Sequence, residues 1–259
     1  YIVELHKNMS PRYFINSLER GLIILTKFAD RGKPIGLSEL ANLTDLSLPT
    51  VNRYLKTLRD LGYLLFDTDT KKYSLSPKFL SLGFSALNKM DIRTRTHPFL
   101  AELAHKHNVN SQLAVLDGLN ILYLERIKGD FLVGLDHPIG SKLPAFCTAL
   151  GRAILAYLDD NEKKKLIKKI KPAPLTPHTI LDKSALIDEI NKTKQRGYAI
   201  NMQEVALGWA NYAVPIFHGN VVEASMGVSF PLDFVDNNTF VNDIIKKLLK
   251  LSKEISIQG

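Results

Sequence analysis

Apolar positions recur at helical spacing through most of the first hundred residues and then give way to alternating runs. Leu18, Leu22, Leu25 and Ala29 predict a helix capped by Asn16-Ser17 and carrying part of a core. Asp30-Arg31-Gly32-Lys33-Pro34 is a loop by composition. Leu37, Leu40, Ala41 and Leu43 give a short helix an apolar face, starting near Gly36 or Ser38, and Asp45-Leu46-Ser47 breaks the pattern. Ser47 stands where an N-cap belongs, with Pro49 in the turn behind it, and Gly62 stops the next helix at about Leu61. Gly62 to Phe66 and Lys71 to Leu75 read as strands around the turn Asp67-Thr68-Asp69-Thr70. Ser76-Pro77 opens a helix from Lys78 to about Arg95, ending before His97-Pro98, where proline discourages continuation.

From Pro98 the pattern is mixed α/β. Phe99, Leu100, Leu103 and Ala104 mark a helix, and Ser111 to Leu116 and Asn120 to Ile127 alternate about the hairpin signal Asp117-Gly118. Gly129-Asp130 turns into Phe131 to Leu135. After Pro138 and Gly140 a loop enters a helix at about Cys147-Thr148. Small residues Ala149 and Gly151 lie in its opening turn, where free N–H groups can hold a small carboxylate. Asp159 to Lys171 is a lysine-rich helix with a solvated face, and Ser184 to Arg196 is a helix closed by Gly197. Tyr198 to Ile200 is a strand, and Asn201 to Asn211 a polar loop with the sole tryptophan of the sequence, Trp209. Strands Tyr212–Phe217 and Val221–Phe230 flank His218-Gly219-Asn220, and a helix from Asn238 to about Ile257 follows. The fold class is α+β in two domains, residues 1–76 and 98–259, with residues 77–97 as a linker helix and dimer contact.

The helix after Ser47 carries the most chemistry. Val51, Leu55 and Leu58 fall on one side; Pro49, Asn52, Arg53 and Lys56 fall on the other, with Thr50 at its flank. No carboxylate lies in its first three turns. Arg and Asn can each make two hydrogen bonds to a base edge, while Lys and Ser/Thr hold phosphates, as a recognition helix in a major groove requires. An ordinary surface helix pair shows the same amphipathicity; the hairpin behind this one, with Lys71 and Lys72 near its tip, makes it a winged helix-turn-helix. The expected DNA contacts are Ser47, Pro49, Thr50, Asn52, Arg53, Lys56, Lys71 and Lys72.

Composition sharpens this reading. Of the net charge of +8, residues 1–76 contribute 11 Lys/Arg against 8 Asp/Glu, residues 77–98 contribute 4 against 1, and the remainder 19 against 17, so the excess favours the DNA-binding third. A length of 259 residues suits two domains. No apolar run approaches a membrane span, and Tyr1 to Phe14 lacks a signal-peptide core, so the expected location is the cytoplasm. One cysteine excludes a disulfide framework and a multi-cysteine zinc site.

The rival reading is an enzyme or small-molecule-binding protein whose first helices serve assembly only. Cys147 at a helix start is its candidate nucleophile, but no histidine lies close in sequence, and a small core residue accounts for it as well. His105 and His107, two apart on a helix, point to different faces; His137, His178 and Cys147 could meet in space around zinc. Neither GxGxxG nor GxxxxGK[ST] occurs, and no cofactor is expected.

Six segments, in order, resemble the IclR family of bacterial transcription regulators: SLERGLIIL (17–25), LSELANLTDLSLPTVNRYLKTLRDLGYL (37–64), YSLSPKFLSLG (73–83), LAVLDG (113–118), GSKLPAFCTALGRAILAYL (140–158) and RGYAINMQEVALGWANYAVPIF (196–217). The resemblance implies an N-terminal winged helix, a linker helix and a C-terminal effector-sensing domain with a curved antiparallel sheet. It also implies homodimers, often paired into tetramers, on a palindromic double-stranded operator. Carried over by position, the effector contacts would be Leu135, Leu143, Ala149, Leu150, Asn201, Trp209, Asn211, Gly227 and Ser229. Members sensing small keto acids resemble one another in having Asp, Cys and Ser where this chain has Asn201, Asn211 and Gly227. LPAFCTALGRAILA and LAVLDG look closest to the branch governing breakdown of protocatechuate or hydroxybenzoate, and Trp209 could stack on such a ring.

Overall fold

The computed structural model describes residues 13–130 and 137–256. The chain divides into two compact units between Lys89 and Met90.

The first unit holds α1 (Asn16–Arg31), β1 (Ile35–Gly36), α2 (Leu37–Thr44), α3 (Leu48–Asp60), β2 (Leu64–Asp67), β3 (Lys72–Leu75) and α4 (Lys78–Asn88). Its core is built from Ile24, Phe28, Ile35, Leu40, Ala41, Val51, Leu55, Leu64 and Tyr73. In α1 the buried residues are Ile24 and Phe28, whereas of the predicted stripe Leu18, Leu22 and Ala29 are exposed and Leu25 is half-buried, so the core face is a different one. Ile15 occupies the N-cap of α1 and makes no side-chain capping bond, so the expected Asn16-Ser17 cap does not form. The hairpin β2–β3 is antiparallel, and β1 adds a third strand beside β3. With two residues, β1 is too short for any period to show, and its segment looks like the tail of a loop.

Four contacts tie the C-terminal end of α3 and the residues just after it to the start of α4. Lys78 Nζ donates to the Leu61 carbonyl at 2.8 Å and lies 4.5 Å above the Tyr63 ring. Ser76 Oγ donates to the Gly62 carbonyl at 2.6 Å. The rings of Tyr63 and Phe79 sit 5.0 Å apart. Lysine suits this position because a cation opposes the negative end of the α3 dipole.

The single helix expected from Lys78 to Arg95 is two. Met90 is extended (φ −76°, ψ 103°), and α5 (Asp91–His107) begins after it and runs through Pro98. A proline inside a helix costs about 3 kcal/mol. Burial of Ile92, Thr96, Leu100, Leu103 and Ala104 along α5 offsets that cost, which local sequence rules do not weigh.

The second unit is organised by a six-stranded antiparallel sheet in the order β6-β5-β4-β9-β8-β7. Its strands are β4 (Asn110–Asp117), β5 (Asn120–Ile127), β6 (Lys142–Pro144), β7 (Ala199–Met202), β8 (Trp209–His218) and β9 (Val221–Pro231). The helices are α5, α6 (Ala149–Leu155), α7 (Asp160–Lys169), α8 (Lys183–Arg196) and α9 (Asn238–Ile255). Ala114, Tyr123, Ala199 and Ala213 of the sheet share a core with Phe146, Leu150 and Ala153 from the α6 side and with Leu166, Leu186 and Ile190 of α7 and α8. The loop expected at 201–211 shrinks, because β7 runs to Met202 and β8 already starts at Trp209. The stretch from Phe131 to Leu135 lies outside the described residues.

Candidate functional site

In α3, Val51 and Leu55 are fully buried, while Ser47, Pro49, Arg53 and Lys56 are exposed and Thr50 and Asn52 half-buried. The helix therefore presents its polar side outward. Ser47 has N-cap geometry, but its hydroxyl pairs with Thr50 Oγ1 at 2.8 Å instead of capping a backbone N–H. At the wing tip Asp67 accepts the N–H groups of Asp69 (2.8 Å) and Thr70 (3.1 Å), which hold its carboxyl below the usual range. That turn leaves Lys71, with φ +55°, and Lys72 exposed. Among the described residues Arg59 is paired with Asp60, whereas Arg53, Lys56, Lys71 and Lys72 enter no ion pair. Uncommitted cations on an exposed polar face are what phosphates and base edges recruit.

In the second unit, register builds a polar row across one sheet face. Asn201 pairs with Asn211, Asn211 with Ser229, and Ser229 with Asn110 on β7, β8, β9 and β4. Opposite residues of an antiparallel pair point to the same side. A narrow cleft with a free volume of about 20 Å³ lies beside this row. Leu143, Ala149, Leu150, Asn201, Asn211 and Ser229 line it. Thr148 of the expected anion-binding helix start and His137, a candidate zinc ligand by sequence, line it too, together with Gln112, Tyr123, Arg126, Val205, Tyr212 and Val228, which belong to no site expected from the sequence.

Of the other three expected contacts, two fall elsewhere and one is not described. Leu135 lies outside the described residues. Trp209 starts β8 opposite Pro231, two residues along the strand from Asn211, and does not reach the lining. Gly227 is also absent from the lining; a Cβ there would stand 2.5 Å from the Tyr212 carbonyl oxygen, so its role is close strand packing.

The polar groups of the cleft differ in what they can still bind. Asn201 is engaged at both ends of its amide, donating to the Cys147 carbonyl and accepting the Glu204 N–H. Gln112 Nε2 donates to Ser229 Oγ at 2.7 Å. Arg126 Nη1 donates to the His137 carbonyl at 3.3 Å, and the His137 ring stacks near-parallel on Tyr123 with centroids 5.7 Å apart. Burial pushes the Tyr123 phenol up to about 12, so it stays protonated and can donate at neutral pH. At the start of α6, Thr148 Oγ1 accepts the Gly151 N–H at 3.0 Å, leaving Ala149 and Leu150 to supply the free N–H groups of that turn. Gly151 is needed for packing, since a Cβ would meet the Ala145 carbonyl oxygen at 2.1 Å.

A buried ion pair fastens the cleft wall. Arg152, 1% exposed, holds Glu204 with both terminal nitrogens at 2.5 Å, and its Nε donates to the Phe146 carbonyl at 2.9 Å. Burial raises the Cys147 thiol to about 12, so it is not a nucleophile at neutral pH. Among the described residues no three His, Cys, Asp or Glu side chains are grouped to hold a metal, and no helix is long and apolar enough to cross a membrane.

A winged helix-turn-helix followed by a sheet domain with a polar-lined cleft defines a DNA-binding regulator with a ligand-sensing domain. Residues 17–68 match the IclR helix-turn-helix domain, and residues 84–257 match the bacterial transcriptional regulator IclR C-terminal domain. The chain belongs to the IclR family of bacterial transcriptional regulators, which act by binding DNA and not as enzymes. It is 30% identical to the HTH-type transcriptional regulator XynR of Escherichia coli (strain K12) over 88% of this chain and 91% of that one. It is 29% identical to the Pca regulon regulatory protein of Pseudomonas putida, over 95% of this chain and 84% of that one. An IclR homolog from Microbacterium hydrocarbonoxydans, crystallised with 4-hydroxybenzoate, has the same fold, with a TM-score of 0.76, 22% identity, and coverage of 93% of this chain and 97% of that one.

Proposed function

We propose that the effector sensed by the second unit is a small aromatic carboxylate. The observation that carries this is the convergence of Tyr123 and Arg126 from one strand on the cleft that Asn211 lines. Arg126 and the N–H groups of Ala149 and Leu150 would take the carboxylate, Tyr123 and Leu143 the ring, and Asn211 a ring hydroxyl. The 4-hydroxybenzoate held by the Microbacterium homolog fits this chemistry. Such a ligand acts only by preferring one arrangement of the protein over another.

On the DNA side, Ser47, Pro49, Thr50, Asn52, Arg53, Lys56, Lys71 and Lys72 meet a palindromic operator, read by a homodimer or a pair of dimers in the cytoplasm. The dimer surface would be the apolar faces of α1 and α4. Leu18 and Leu22 are 60% and 55% exposed, Leu80, Leu82 and Phe84 are 59%, 55% and 54% exposed, and α4 buries none of its residues in this chain. Residues 1–76 then serve DNA binding, 98–259 sensing and assembly, and the two helices meeting at Met90 the connection.

The test is a thermal-shift comparison of 4-hydroxybenzoate, benzoate and cyclohexanecarboxylate. A ligand at 100 times its Kd stabilises the folded form by about 2.7 kcal/mol. The two aromatic acids should raise the melting temperature and the cyclohexane acid should not; equal shifts from all three, or none, defeat the reading. Arg126→Ala should weaken 4-hydroxybenzoate binding by about 1.5–3 kcal/mol, the usual worth of a hydrogen bond to a charged group, measured by titration calorimetry. Asn211→Leu should abolish the effector response while leaving DNA binding intact; a normal response removes Asn211 from the site.

A further inference from the structure

Strand β5 serves both faces of the sheet through an irregularity. Leu113 pairs with Glu125 and Ala114 with Tyr123, so Leu124 is an extra residue opposite nothing, a β-bulge. Strict alternation would place Tyr123 and Glu125 on one face. The bulge resets the alternation, and Tyr123 and Arg126 both reach the cleft, Arg126 beside its register partner Gln112. Glu125 is sent to the opposite face. There it is 4% exposed, with Arg93 Nε at 2.7 Å and His97 Nδ1 at 3.3 Å. Both residues belong to the first two turns of α5, four residues apart and on one helix face.

We propose that Glu125 is the positioning residue through which occupancy of the cleft is passed to the start of α5. The inference rests on the reading that the cleft takes a carboxylate. Glu125 and Arg126 share a peptide group, so a pull on the Arg126 side chain tilts the same backbone that carries Glu125. A bulge is where a strand bends most readily, because the extra residue is unpaired. A buried carboxylate is tolerated only while its counter-charge, here Arg93, stays with it. The first turns of α5 therefore follow β5 instead of sliding past it, and α5 is the element the chain enters directly after the break at Met90.

Amide hydrogen exchange over residues 92–97, with and without 4-hydroxybenzoate, tests the proposal. In the wild-type protein the acid should change exchange there by on the order of fivefold or more, the lower end of ordinary site-to-site coupling. Glu125→Leu should bind the acid with unchanged affinity, measured by calorimetry, yet show no ligand-dependent change in α5. A merely structural role would alter exchange equally in both states and leave the difference between them intact. If the leucine variant does not fold, Arg93→Gln, at a side chain 28% exposed, must show the same uncoupling. An undiminished ligand effect in the variants, or a wild-type protein that binds the acid without any change in α5, overturns the relay and leaves the effector reading standing. Loss of acid binding in the leucine variant overturns it too, since Glu125 then shapes the cleft. Failure of wild-type protein to bind either 4-hydroxybenzoate or benzoate removes the effector reading and the relay together.

Discussion

Replacing Arg152 with alanine is expected to lower the melting temperature of the sheet unit by on the order of 10 °C, and calorimetry of the purified protein would show it. The guanidinium is 1% exposed and bonds Phe146, Ile200 and, with both terminal nitrogens, Glu204. Glu204 is itself 5% exposed and accepts the Ile180 N–H at 3.1 Å. Removing one partner of such a pair leaves the other charge buried and costs about 3–5 kcal/mol. For a unit of this size each kcal/mol moves the midpoint by roughly 2–4 °C. The control is the double variant Arg152→Met with Glu204→Leu, in which no orphaned charge remains; it should recover most of the loss. A single variant that melts within a degree or two of wild type would show that water reaches Glu204 and that the pair does not fasten the cleft wall.

The second large effect is expected at the DNA face. Arg53→Ala should weaken binding to the operator by about 1–3 kcal/mol, the discrimination of one bidentate contact to a base. Binding to unrelated duplex should fall far less. Lys71→Ala at the wing should instead weaken both alike and flatten the salt dependence by about one charge. Titrations of labelled operator and unrelated duplex at several salt concentrations separate the two. Arg53 is exposed on α3 and enters no ion pair among the described residues, so its loss should not disturb folding. Unchanged operator affinity would put the reading face elsewhere.

How much of this was legible beforehand differs between the units. In α3 the apolar and polar sides separate cleanly because the helix packs with one face only, and local rules suffice. α1 misleads because both of its sides are apolar: Ile24 and Phe28 enter the core, while Leu18 and Leu22 stand outside it. The interrupted linker has a similar cause, since Pro98 reads as a stop and is carried through by tertiary burial of its neighbours. In the sheet unit, the sequence located β4, β5, β7, β8 and β9 but read the three-residue β6 as loop and missed the bulge at Leu124, which decides which of Tyr123, Glu125 and Arg126 faces the cleft. Six of the nine effector positions carried over from the family resemblance line the cleft; Tyr123, Arg126 and Gln112 come together only through register and through strands distant in sequence.

The Lys78 clamp has a mechanical consequence. Its ammonium holds the Leu61 carbonyl at the C-terminal cap of α3 and the Tyr63 ring while its backbone belongs to α4. A torque applied to α4 is thus delivered to the blunt end of the recognition helix, and the pair swings as one crank. Loosening that grip would let the handle turn while the blade stays still.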